Sequence, residues 1–189
     1  LGRGFTHVLI NVGSLEREER EEHDELLVGL PPIGDDARLT MCTFQETYHP
    51  ETYARFMGSN PDNPRSRFTR RLENFDRAAD AGMRSANPGL LLGLNHDVAY
   101  EMLALSAHVR HLRSRDMTVY ISLPRLRKAS GAPHQAGVSD DEMTRIVSLL
   151  SVAFPEARLV VPTREAPEMQ RRLGPVIGVR TAGSPGVPP

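Results

Sequence analysis

A carboxylate directly after an apolar run is the most chemically pointed feature of the chain. Glu46 stands in Phe44-Gln45-Glu46-Thr47-Tyr48-His49-Pro50, where the apolar stretch Leu39 to Phe44 gives out and Pro50 suits a first helical turn. A carboxylate in that position is suited to accept two hydrogen bonds from a sugar diol, or to bind an amino group. The competing reading is an acid that stabilises the next helix through its N-terminal dipole. Gln45 and Tyr48 add an amide and a phenol to the same junction. A second constellation lies near the other end. Thr163-Arg164-Glu165 follows the apolar run Leu159 to Val161, and an arginine closing a buried strand requires an anion: Glu165, another structural acid, or a ligand carboxylate. Thr181 and Ser184 follow the next strand, and a guanidinium beside a hydroxyl makes a cradle for an α-carboxylate.

Other residues carry weaker signals. Arg71 belongs to a cluster with Arg65, Arg67 and Arg70; one of the four could clamp a carboxylate bidentately while the rest face solvent. Gly93 interrupts an apolar run, which marks close approach of a packing group or of a ligand. His108 and His111 are three apart on a helical stripe without a third ligand, so they read as core-edge histidines rather than a metal pair. Asp140, Asp141 and Glu142 read as helix-capping acids. Cys42 has no CxxC partner and reads as a small buried hydrophobe. No metal site follows from these residues, and none is assigned to a chemical step.

The elements that must position them alternate along the chain. Strand signals run over His7–Val12, Leu39–Phe44, Gly89–Leu94, Val119–Leu123, Arg158–Val161 and Val176–Arg180. Helical signals run over Glu16–Leu27, Pro50–Met57, Phe68–Ala79, Val98–Leu112, from Asp140 onward, and over Pro167–Leu173, with Asp97 and Ser139 as N-caps. This order predicts an α/β fold with a parallel sheet and helical crossovers. An open doubly wound sheet and a (β/α)8 TIM barrel both accommodate it. Polar residues follow each of several strands: Gln45 and Glu46, Gly93 and Asn95, Ser122 and Arg125, Arg164, Thr181. A ring of loops giving one residue each favours an incomplete barrel, six strands where eight are needed.

Length and composition fit a single partial barrel domain over residues 1–189, with 39% hydrophobic and 25% charged residues. A formal net charge of −1 gives no footing to a nucleic-acid surface or an anionic membrane. No apolar run approaches a bilayer span and no signal sequence opens the chain, so a cytoplasmic protein is expected. One cysteine excludes an internal disulfide. The first residue is Leu1 rather than Met, and a partial chain is expected.

Five motifs in order resemble one family: Phe44-Gln45-Glu46-Thr47-Tyr48, Arg71-Leu72 with Asp76-Arg77-Ala78, Leu91-Leu92-Gly93-Leu94, Ser122-Leu123-Pro124-Arg125-Leu126-Arg127 and Thr163-Arg164-Glu165. They resemble the radical S-adenosylmethionine (SAM) aromatic amino-acid lyases, which include 2-iminoacetate synthase of thiamin biosynthesis, the hydrogenase-maturation tyrosine lyase and the thiopeptide tryptophan lyase. Val8 to Val12 resembles that family's third barrel strand. The resemblance implies strands three to eight of a (β/α)8 barrel. It also implies a chemistry in which a [4Fe–4S] cluster cleaves SAM to a 5′-deoxyadenosyl radical and an amino acid, tyrosine or tryptophan, then fragments. By the same resemblance Glu46 holds the SAM ribose, Arg71 faces the SAM carboxylate and the backbone at Gly93 lies near the adenosyl group. Arg164 then clamps the substrate carboxylate with Thr181 assisting, in a substrate site that also takes in Gln45, Tyr48 and Arg125.

The departures set the alternatives. The family's CxxxCxxC cluster motif is absent from this sequence, and Cys42 cannot replace it. The N-terminal cluster-binding part is therefore expected to lie outside residues 1–189, leaving this chain inactive alone. A shortened non-catalytic paralogue that binds SAM or an amino acid, or a subunit that completes a barrel with a partner chain, is the alternative reading. A generic barrel aldolase or hydrolase is a third.

Overall fold

The computed structural model describes residues 8–11, 39–126, 137–162 and 164–181. The helix expected over Glu16–Leu27, Thr163 and Ser184 lie outside them. Among the described residues six strands form one sheet: β1 (Val8–Asn11), β2 (Leu39–Glu46), β3 (Ser85–Leu90), β4 (Thr118–Ser122), β5 (Arg158–Val161) and β6 (Val179–Arg180). Their spatial order is their sequence order and every pair is parallel. A doubly wound sheet would reverse direction at a switch point, and this order has no reversal.

Helices α1 (Pro50–Met57), α2 (Phe68–Leu72), α3 (Asn74–Asp80), α4 (Val98–Ser114), α5 (Asp140–Ala153) and α6 (Pro167–Leu173) provide the crossovers among the described residues. Their apolar stripes meet one face of the sheet. Phe75 and Ala78, then Leu105, Val109 and Leu112, then Met143, Ile146 and Leu150, share one core with Met41, Ala86, Val119, Ile121, Leu159 and Val161. Strand residues of the opposite parity turn away from that core. Thr40, Ser85, Asn87 and Ser122 are buried there, with a Thr40–Ser85 hydroxyl contact of 2.9 Å and the Ser122 hydroxyl donating to Asn87 Oδ1 at 2.9 Å. The sheet thus has an apolar face under the helices, with these four polar side chains gathered on the opposite face.

Several caps match their sequence signals. Asp97 accepts from the Tyr100 N–H at 2.9 Å, and Ser139 and Glu142 form a reciprocal capping box that opens α5. The third strand departs from expectation. It occupies Ser85–Leu90 rather than Gly89–Leu94, because Pro88 is accommodated inside it in register with Thr43. The helical signal from Phe68 divides at Glu73 into α2 and α3.

Candidate functional site

The C-terminal end of β2 is built to turn a carboxylate out of the strand. The register against β3 slips between Phe44 and Glu46, and Glu46 adopts φ 70°, a conformation unusual for a residue with a Cβ. The strain is held from both sides. The Glu46 carbonyl accepts from the Leu91 N–H at 2.8 Å, and the next two residues are fastened to Glu101 on α4. The buried Glu101 carboxylate accepts from the Thr47 hydroxyl at 2.5 Å, the Tyr48 N–H at 2.8 Å and the Asn95 amide at 2.9 Å. Glu101 was not singled out from the sequence. Its signal was there: it lies four residues before Leu105, on the apolar stripe of α4.

Arg71 on α2 reaches back to this end. Its Nε donates to the Phe44 carbonyl at 2.5 Å, and its Nη2 lies 3.6 Å from Glu46 Oε1. Burial raises the Glu46 carboxyl above the ordinary carboxylate range, and the Arg71 and Arg65 charges offset this only in part. An acid in that state gains from new hydrogen-bond donors, which stabilise its charged form. Gln45, 3% exposed, has both side-chain amide atoms without a hydrogen-bond partner among the described residues. Tyr48 is buried with its hydroxyl 2.8 Å from His108 Nδ1, and burial with the Glu101 charge raises its phenol.

Gly93 follows β3 at φ 94°, where a side chain would be strained. The segment before it is pinned between neighbours: Leu92 N–H donates to the Pro124 carbonyl and Leu126 N–H to the Leu92 carbonyl, both at 2.8 Å. Gly93 therefore lies in a loop that bridges the ends of β2 and β4. Arg125 is engaged on all three guanidinium nitrogens. Its Nε donates to Glu165 at 3.0 and 3.1 Å, its Nη1 to the Val138 carbonyl at 2.9 Å, and its Nη2 to Glu165 at 2.6 Å and Asp140 at 2.5 Å. Glu165 is 1% exposed. The anion beside Arg164 is thus tied to Arg125, while Arg164 itself occupies an exposed position between β5 and α6. Thr181 is half-buried directly after β6.

The structure brings Glu46, Arg71 and the loop holding Gly93 together, ties Arg125 to Glu165, the residue after Arg164, and puts Thr181 directly after the strand that neighbours β5. Cysteine ligation is another matter. Cys42 is buried, and burial first, then the Glu46 charge, pushes its thiol up to about 11. Among the described residues no cluster of three or more metal-ligating side chains occurs. No described helix is long and apolar enough to cross a membrane.

Residues 122–182 match the Biotin and Thiamin Synthesis associated domain. The chain is 26% identical to 2-iminoacetate synthase of Escherichia coli K12, over 92% of this chain and 51% of that protein. Its identity to 2-iminoacetate synthase of Salmonella typhimurium is 27%, over 86% and 42%. Among solved structures it is similar to HydG, a maturase of the [FeFe]-hydrogenase, with a TM-score of 0.77 and 29% identity, covering 95% of this chain and 38% of that one. HydG from Carboxydothermus hydrogenoformans gives a TM-score of 0.71 at 28% identity, covering 92% and 38%. The chain spans about half the length or less of these relatives. With the five sequence motifs and the sequential parallel sheet, these likenesses make the chain similar to part of the radical SAM aromatic amino-acid lyases, in the region that carries the Biotin and Thiamin Synthesis associated domain.

Proposed function

We propose that this chain forms the distal strands of an incomplete (β/α)8 barrel within a lyase that cleaves an aromatic amino acid, tyrosine or tryptophan. The observation that carries the reading is the end of β2, where a strained, half-buried Glu46 meets Arg71 and the Gly93 loop at the carboxyl ends of the strands. Sequential strand order, helices packed on one sheet face and buried polar side chains on the opposite face support the barrel.

The residues fit SAM. Glu46 would accept from the ribose hydroxyls, Arg71 would face the carboxylate and the backbone at Gly93 would border the adenosyl group. Bound there, SAM would supply the radical chemistry that activates the substrate amine. Arg164 holds the α-carboxylate of the amino acid and Thr181 adds a hydroxyl. Gln45 and Tyr48 shape the β2 end of the substrate site, and Arg125 positions the 164–165 turn through Glu165. The residues do not fit the [4Fe–4S] cluster, because one buried, protonated cysteine cannot ligate it. Its ligands belong to polypeptide other than residues 1–189.

The test uses the natural polypeptide that carries this chain. Glu46→Gln should weaken SAM binding roughly 10- to 100-fold, the worth of hydrogen bonds to a charged acceptor, without changing amino-acid affinity. Arg164→Ala should raise the amino-acid KM and leave SAM affinity alone. Unchanged SAM binding in Glu46→Gln would remove the basis of the proposal. The lone cysteine also favours a second reading, a non-catalytic or barrel-completing subunit. SAM binding without any 5′-deoxyadenosine formation would favour it.

A further inference from the structure

The two backbone positions that shape the strand-end site share one tether. Glu46 at φ 70° and Gly93 at φ 94° both have left-handed backbone, and for Glu46 that conformation persists only where the surroundings impose it. Both lie inside a closed circuit of hydrogen bonds. On one side the Leu91 N–H donates to the Glu46 carbonyl at 2.8 Å. From Leu91 the chain runs through Gly93 to Asn95, whose amide donates to Glu101 Oε1 at 2.9 Å. From Glu101 the circuit returns to the end of β2 through the Thr47 hydroxyl at 2.5 Å and the Tyr48 N–H at 2.8 Å.

Glu101 is the junction of that circuit. It is 3% exposed and stands in the first turn of α4, where the helix N-terminus favours an acid. The helix itself is anchored, since Leu105, one turn on, belongs to the core. The donors around Glu101 are oriented by their own neighbours. The Thr47 hydroxyl accepts from the His49 N–H at 3.1 Å, which leaves its proton for Glu101. Asn95 Oδ1 accepts from the Asp97 N–H at 3.2 Å, which turns the Asn95 amide group toward Glu101.

A carboxylate accepts from all of these donors at once. Glutamine does not: whichever way its amide turns, an N–H is set against another donor. The circuit therefore depends on the acid itself, and Glu101 needs no contact with a ligand to matter.

We infer that Glu101 is a positioning residue for the cofactor. Through Thr47, Tyr48 and Asn95 it sets the separation between the Glu46 carboxylate and the Gly93 loop, and with it the fit of the nucleoside half of SAM. The assignment rests on the strand ends being a SAM site.

The test is calorimetric titration of SAM into the natural polypeptide carrying this chain. Glu101→Gln should weaken SAM binding roughly 5- to 20-fold, within the coupling expected of residues in one hydrogen-bond network. Asn95→Ala, at a half-buried loop position, cuts only the arm to the Gly93 loop and should weaken binding about two- to fivefold. In a Glu46→Gln background the further loss from Glu101→Gln should shrink to about threefold or less, because the carboxylate that Glu101 positions is gone. A role confined to folding would add in full. Full additivity with Glu46→Gln, or SAM affinity unchanged in both single variants, would overturn the assignment. Should Glu101→Gln fail to fold, unchanged affinity in Asn95→Ala overturns it alone. A parent that binds no SAM would remove the strand-end reading and this assignment with it, whereas a parent that binds SAM beside unaffected variants would remove only the role of Glu101.

Discussion

Glu46 is held in a state that costs stability and suits a ligand. Its folded carboxyl lies above the ordinary range, so between the unfolded and folded values the folded state binds more protons. Stability from this group is therefore present at low pH and lost as pH rises through the folded value. Glu46→Gln should accordingly raise the melting temperature near pH 7 even as it weakens SAM binding, measured by paired thermal melts with and without SAM. His108 works in the opposite sense. With its folded value down at about 4 against an ordinary 6.5, its contribution is full above about pH 6.5 and is lost as pH falls toward 4. Melting temperatures should drop over that window in the parent, and the drop should shrink in His108→Gln. At this scale Glu46 was legible because an acid after an apolar run is a local signal. Glu101 escaped notice because its meaning depends on Thr47 and Tyr48, more than 50 residues away in sequence.

Among the elements, the link between β4, α5 and the turn after β5 depends on Arg125. Arg125→Ala takes the guanidinium away from the buried Glu165 carboxylate, which should cost about 3–5 kcal/mol by chemical denaturation. Arg125→Met combined with Glu165→Gln should recover most of that loss. A close fit between β2 and β3 gives a second prediction. A Cβ at Gly89 would run into the Phe44 ring, so Gly89→Ala should destabilise by about 1–3 kcal/mol and disturb the β2 end that carries Glu46. Helix limits were readable from caps: Asp97, Ser139 and Pro50 each sit where the sequence puts them. The third strand was not, because Asn87-Pro88 imitates a turn. The proline carries no ladder donor, yet the parallel neighbours accommodate it in register. The Arg125–Glu165 pair was equally hidden, since an arginine and an acid 40 residues apart carry no local mark of contact.

For the molecule as a whole, the all-parallel sheet leaves β1 and β6 each with one described neighbour. Open edges invite association, so residues 1–189 expressed alone should aggregate or fold only in part; a sharp monomeric two-state melt would contradict this. The alternation of strand and helix was visible from hydrophobic periodicity, and single-direction winding follows from crossovers that place each strand beside its predecessor. That polar side chains gather on one face emerged only when Thr40, Ser85, Asn87 and Ser122 came together from three strands. The most direct measurement is anaerobic incubation of the natural polypeptide carrying this chain with SAM, a reductant and either tyrosine or tryptophan, quantifying 5′-deoxyadenosine and amino-acid loss. Both should rise together for one of the two amino acids and vanish in Arg164→Ala at low substrate. Turnover that proceeds without iron or SAM, or 5′-deoxyadenosine formed with neither amino acid consumed, would contradict it.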